Sequence, residues 1–148
     1  MSTSRLSVAA EAVTSAPPEA VWPLVSDVVR YAQWGPWSAA GYRDGATTHK
    51  PGVVYWLRSK QTYAGRAVTT VERVDELEEN HRVAYSLLGG MPVRNYRAEI
   101  LLTPVPEGTR IQWDASWDRT LLGRLVQRGL RSFFPQVISS LAAAASAA

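Results

Sequence analysis

The chain contains no cysteine, and its 148 residues include only two histidines. The first absence excludes disulfides, thiolate metal sites and a thiol nucleophile together. With His49 and His81 well separated, it also argues against zinc, so no metal and no cofactor are expected. Both histidines fall in predicted loops flanked by polar residues, where solvated imidazoles are expected. Long apolar runs are missing too. Arg5 and Glu11 interrupt the N-terminal segment, so it lacks the hydrophobic stretch of a secretory signal. The longest uncharged stretch, Ser132 to Ala148, holds Pro135, Gln136 and four serines and is too polar for a membrane span. These absences point to a cytoplasmic protein without stable membrane insertion. No GxSxG elbow, phosphate loop or dinucleotide fingerprint occurs.

Charge of one sign is also scarce in excess: the formal balance is +3, with basic residues spread along the chain. Arg124, Arg128 and Arg131 share one face of the last predicted helix, which reads as its wetted side, and no nucleic-acid partner is expected. Contact of this face with phosphate or lipid head groups is the competing interpretation.

What the chain does have is an ordinary globular composition, 46% hydrophobic and 20% charged. Its length fits a single domain, 1–148 with a core of about 5–145, able to bury roughly 68–70% of its unfolded surface. Leu6, Val8, Ala10 and Ala12 alternate with polar or small neighbours and predict an opening strand. Pro17-Pro18-Glu19 announces a short helix to Val25, and Ser26-Asp27 caps a second from Val28 to about Gln33. Trp34-Gly35-Pro36-Trp37 ends it and sets two indoles on a turn, serving either as a structural plug or as a gate over a ligand.

Strands then follow one another. Ser38–Arg43 is a brief one, and alternating segments continue around Tyr55, Thr69, Tyr85, Ala98 and Trp113. The clearest is Ile111-Gln112-Trp113-Asp114-Ala115-Ser116-Trp117, half-buried with one aromatic face, which leaves Asp114 and Asp118 outside. The inward side of Val53–Lys60 and Gly65–Val74 is ambiguous from alternation alone. After Thr120, a candidate cap, the period becomes 3.6: Leu122, Val126, Leu130, Phe133 and Val137 form one stripe on a helix of about 25 residues. Pro135 inside it predicts a kink or a break. The result is an α+β fold: a curved antiparallel sheet of about six or seven strands, two short helices after the first strand, and a long C-terminal helix over the concave face.

Six tryptophans, six tyrosines and two phenylalanines must be placed. Several buried Tyr and Trp on one face each need a partner for OH or NH, which fits a cavity wall better than a filled core, although an aromatic-rich solid core is the competing interpretation. The candidate wall comprises Trp34, Trp37, Tyr55, Leu57, Tyr85, Tyr96, Ala98, Trp113, Ala115 and Trp117 from the turn and sheet. The helix adds Val126, Leu130, Phe133 and Val137.

The segment Ala16-Pro17-Pro18-Glu19-Ala20-Val21-Trp22, the turn Trp34–Trp37, Val71–Asp75, Gly108–Trp113 and the closing amphipathic helix resemble the START-like superfamily, also called SRPBCC or helix-grip. The likeness is to its polyketide cyclase/dehydrase branch and spans about Arg5 to Ala145. It implies a helix-grip fold around a hydrophobic ligand. Its members range from lipid and sterol carriers to polyketide cyclases and ligand sensors, so it does not by itself choose an activity. The glycine-rich loop of the related plant allergens is absent. The residues favour a non-catalytic binder or carrier of a lipid, isoprenoid or aromatic polyketide, with a homodimer allowed. The alternative is a polyketide cyclase/dehydratase using the same cavity. Tyr55, Tyr85 and Tyr96 are then the catalytic candidates, and Arg66 joins them only if its strand register is shifted by one.

Overall fold

The structure, a computed structural model, describes residues 4–147. The expected domain limits of 1 and 148 therefore lie outside the described residues. The elements are β1 (Arg5–Thr14), α1 (Pro18–Val25), a 3-10 turn (Val28–Arg30), α2 (Tyr31–Trp34), β2 (Trp37–Tyr42), β3 (Val54–Tyr63), β4 (Arg66–Glu78), β5 (Arg82–Gly89), β6 (Arg97–Val105), β7 (Gly108–Asp118) and α3 (Leu121–Ala147). All seven strands form one antiparallel sheet in the order β1-β7-β6-β5-β4-β3-β2.

This order explains the position of the short helices. β1 and β2 follow each other in sequence yet lie on opposite edges of the sheet, so the chain between them must cross one end of the concave face. Pro18 opens α1, and Asp27 caps the next turn by accepting a hydrogen bond from the Val29 amide at 3.2 Å. Tyr31 then fixes α2 against α1, its hydroxyl donating to the Val25 carbonyl at 2.9 Å.

Breaks in strand register between Trp37 and Ala39, Arg58 and Thr62, Val71 and Glu72, and Val74 and Glu76 concentrate on the β2–β5 side of the sheet. Bulges of this kind bend strands and increase their twist, so that half of the sheet is the more strongly curled. At the other edge β1 and β7 pair without a break from Arg5–Asp118 to Thr14–Thr109. Gly108 makes that edge tight. Its φ is +141°, and a methyl group there would overlap the carbonyl oxygens of Thr14 and Ser15. Gly108→Ala should destabilise the domain by about 1–3 kcal/mol. A urea midpoint unchanged from wild type would show that the turn relaxes freely.

α3 starts on a cap, the Gly123 amide donating to Thr120 Oγ1 at 2.8 Å, and of the two alternatives at Pro135, a kink or a break, the break does not occur. Its second half is packed down more fully than its first, where Gly123 is buried but the leucines are not. Phe134, Val137, Ile138, Leu141 and Ala145 are buried, whereas Leu121, Leu122 and Leu125 are 80%, 52% and 56% exposed. The far end is tied to β1 by Thr14, whose hydroxyl bonds the Ala142 carbonyl at 3.0 Å and the Ser146 hydroxyl at 2.7 Å. α3 thus rests on β1 and β7, while its first half projects over the curled strands.

Candidate functional site

Between that projecting half-helix and the curled strands lies a cavity of about 440 Å³, a normal size for a small-molecule site. β3 contributes Leu57, Ser59 and Tyr63; β4 contributes Val68, Thr70 and Glu72. Tyr85, Tyr96 and Trp113 form the floor, with Tyr31 and Trp37 at the end closed by the short helices. α3 covers it with Leu122, Leu125, Val126, Gly129, Leu130, Phe133, Phe134 and Val137. Leu122, Leu125 and the 48% exposed Tyr63 mark an apolar mouth. Arg124, Arg128 and Arg131 are exposed on the same helix.

Of the residues expected on the wall, Trp37, Leu57, Tyr85, Tyr96, Trp113, Val126, Leu130, Phe133 and Val137 are there. Five others are placed elsewhere. Trp34 turns away from the cavity, its Nε1–H donating to the Leu24 carbonyl at 3.0 Å, and its ring packs behind Tyr31, Trp37 and Trp113. Trp117 stacks on Tyr96 at 5.6 Å and donates Nε1–H to the Gly123 carbonyl at 3.1 Å, anchoring the start of α3. Ala98 and Ala115 face each other across β6 and β7 inside the core, and Tyr55 lies behind the wall. Arg66 is exposed at the tip of the β3–β4 hairpin.

Two buried titratable groups were not expected. Glu72 is only 7% exposed, and the nearby hydroxyls of Tyr55 and Thr70 favour its ionised form. Burial outweighs those two hydroxyls and pushes its pKa up to about 7. Among the described residues, no Lys, Arg or His lines the cavity to compensate it. Burial, reinforced by the Glu72 charge, also drives the Tyr31, Tyr55, Tyr85 and Tyr96 hydroxyls well above their usual range. These tyrosines are therefore neutral donors, poorly suited to act as bases. In the floor, Trp113 Nε1–H donates to the Tyr85 hydroxyl at 3.0 Å.

The second group is His49, 8% exposed and not the solvated loop residue expected. Its ring packs on Tyr55 with centroids 5.1 Å apart, and its Nδ1 lies 3.1 Å from the Tyr42 hydroxyl. Tyr42 donates its one proton to Asp27 at 3.0 Å and also accepts from the Val28 amide at 3.2 Å. This network assigns the proton of the His49 ring to Nδ1 and leaves Nε2 as a buried lone pair without a hydrogen-bond partner among the described residues. Burial lowers the His49 pKa to about 4 against the opposing pull of Asp27. His81, by contrast, is exposed beside Glu78.

Residues 5–146 match the family described as polyketide cyclase / dehydrase and lipid transport, and the chain belongs to that family. Solved structures share the fold. A protein from Thermobifida fusca is 26% identical with a TM-score of 0.73, the alignment covering 97% of this chain and 93% of that one. A protein from Thermus thermophilus is 20% identical with a TM-score of 0.75, covering 96% and 98%. A third, from Chromobacterium violaceum, is 19% identical with a TM-score of 0.73, covering 95% and 97%. Comparison with curated proteins gives no match. No helix among the described residues is long and apolar enough to cross a membrane.

Proposed function

We propose that the protein binds and carries a small hydrophobic molecule, a lipid, isoprenoid or aromatic polyketide, in this cavity. The carrying observation is a space of about 440 Å³ whose wall is apolar and aromatic except for a few hydroxyls and one carboxyl, and which opens at the leucines of α3. Burying an apolar guest there removes its surface from water, a gain of roughly 25 cal/mol per Å². The reading places the protein in the cytoplasm, without a metal, cofactor or nucleic-acid partner, and allows a homodimer.

Gly129 offers the direct test, because it lines the cavity and a Cβ added there meets nothing within 4 Å. Wild type should take up one equivalent of a fluorescent fatty acid or hydrophobic dye. Gly129→Phe, which sets a ring into the open volume, should weaken uptake by about tenfold or more while the domain stays folded. Native mass spectra that show only the bare chain, together with no dye uptake by wild type, would remove the proposal.

Glu72 favours a second reading, a polyketide cyclase/dehydratase. A carboxyl with a pKa near 7 can take a proton from a methylene between two ketone groups and return one to a departing hydroxyl, so that water leaves. Glu72→Gln should then abolish dehydration of a poly-β-ketone without abolishing its binding. Unchanged product formation would exclude Glu72 as the acid–base group.

A further inference from the structure

We infer that Glu72 is the polar anchor of the cavity and that the ligand is a lipophilic amine, an apolar body carrying one ammonium group. This rests on the cavity being the binding site proposed above, and it names the chemistry of the guest.

Glu72 projects into the cavity beside the register break between Val71 and Glu72, the kind of irregularity that re-aims a side chain. Tyr55 is its cross-strand partner, and the Tyr55 and Thr70 hydroxyls favour its ionised form. A carboxylate has about four lone-pair sites, so acceptor capacity remains for a donor arriving from the cavity. A buried anion without a cation is costly, and among the described residues no basic side chain shares the space. Without a ligand a proton can neutralise it; a cation that pairs with its ionised form has to come with the ligand.

The surroundings suit a cation. Tyr31, Trp37, Tyr85, Tyr96 and Trp113 present aromatic rings to the same volume, and ring faces attract ammonium groups most strongly where water is excluded. A ligand carboxylate would meet Glu72 with no opposing charge. An alcohol would gain a hydrogen bond but no charge pairing. A ketone would need Glu72 in its protonated form.

The groups facing Glu72 are Tyr31 from α2, Tyr55 from β3, Tyr85 from β5 and Tyr96 ahead of β6, while α3 brings only apolar side chains to the cavity. All four hydroxyls are shifted upward, so Glu72 alone among them changes charge between pH 6 and 8.

The experiment measures binding of decylamine, 1-decanol, 2-decanone and decanoate to the full chain, by displacement of a fluorescent probe below micellar concentrations, at pH 6 and pH 8. At pH 8 decylamine should bind at least about tenfold tighter than decanol, with decanoate weakest. Lowering the pH to 6 should weaken decylamine about tenfold, because Glu72 must then release a proton, and should leave decanol unchanged. Glu72→Gln should erase the preference for amine and keep decanol within about threefold of wild type, which also reports an intact cavity.

Equal binding of amine and alcohol by wild type, tighter binding of 2-decanone at pH 6, or an amine preference that survives in Glu72→Gln would each overturn the inference while leaving the hydrophobic cavity standing. Binding of none of the four would remove the cavity proposal and this inference together.

Discussion

Trp117→Ala should cost about 3–5 kcal/mol of stability, the usual range for emptying a buried indole. Trp117 is fully buried, its ring lies nearly parallel to Tyr96 with 18° between planes, and its Nε1–H satisfies the Gly123 carbonyl in the first turn of α3. Truncation leaves a void too apolar for water, removes the extra bond to the Gly123 carbonyl and leaves Tyr96 unsupported. For a domain of this length the loss corresponds to a fall in Tm of about 10 °C. It should also reach the cavity, because Tyr96 is part of its floor. Thermal unfolding combined with probe binding checks both effects. A variant within about 1 kcal/mol of wild type would mean that the stack contributes little.

The second large effect is a dependence on pH carried in opposite directions by two buried groups. Unfolded Glu72 releases its proton near 4.5, whereas the folded protein holds it to about 7, so this group favours folding at low pH and loses that contribution as pH rises through the interval. His49 does the reverse. The unfolded chain binds its proton below 6.5 and the folded protein only below about 4, so its penalty on folding grows as pH falls through that interval. Each shift corresponds to about 3 kcal/mol at its plateau. In wild type the two slopes nearly cancel where the windows overlap. Measured against wild type, Glu72→Gln should therefore gain about 3 kcal/mol as pH rises from 4.5 to 7, and His49→Phe should gain about 3 kcal/mol as pH falls from 6.5 to about 4. Urea unfolding of the three proteins across this range measures the differences directly. Parallel stability curves would show that neither group has a pKa that differs between the folded and unfolded states.

The two groups also mark where sequence reasoning stopped. The alternation Ile111-Trp113-Ala115-Trp117 and the 3.6-residue stripe from Leu122 to Val137 were legible because each is a periodicity of neighbouring residues, and they led to the fold and to much of the wall. Glu72 was hidden because Gly65–Val74 alternates ambiguously, and its burial comes from β3, β5 and a register break that leaves no local trace. His49 sits in a polar loop and is buried only because the β2–β3 pairing brings Tyr42 and Tyr55 around it. Trp117 and Trp34 could be assigned to the inner layer, but whether an indole meets the hollow or supports it depends on which carbonyl its N–H finds. The helix stripe likewise carries no mark at Phe134, where packing replaces overhang, because that boundary is set by the curl of distant strands.

The edge pairing of β1 with β7 also has a consequence for biosynthesis. Arg5 meets Asp118 across a separation of 113 residues, so the earliest strand to leave the ribosome waits for the latest one. At about 5–20 residues per second that wait is on the order of 5–20 s, during which the nascent N-terminal segment has an unmatched edge. Long-range closure of this kind slows folding and exposes sticky intermediates, so a chaperone that shields Leu6 and Val8 during translation should raise the yield of native protein.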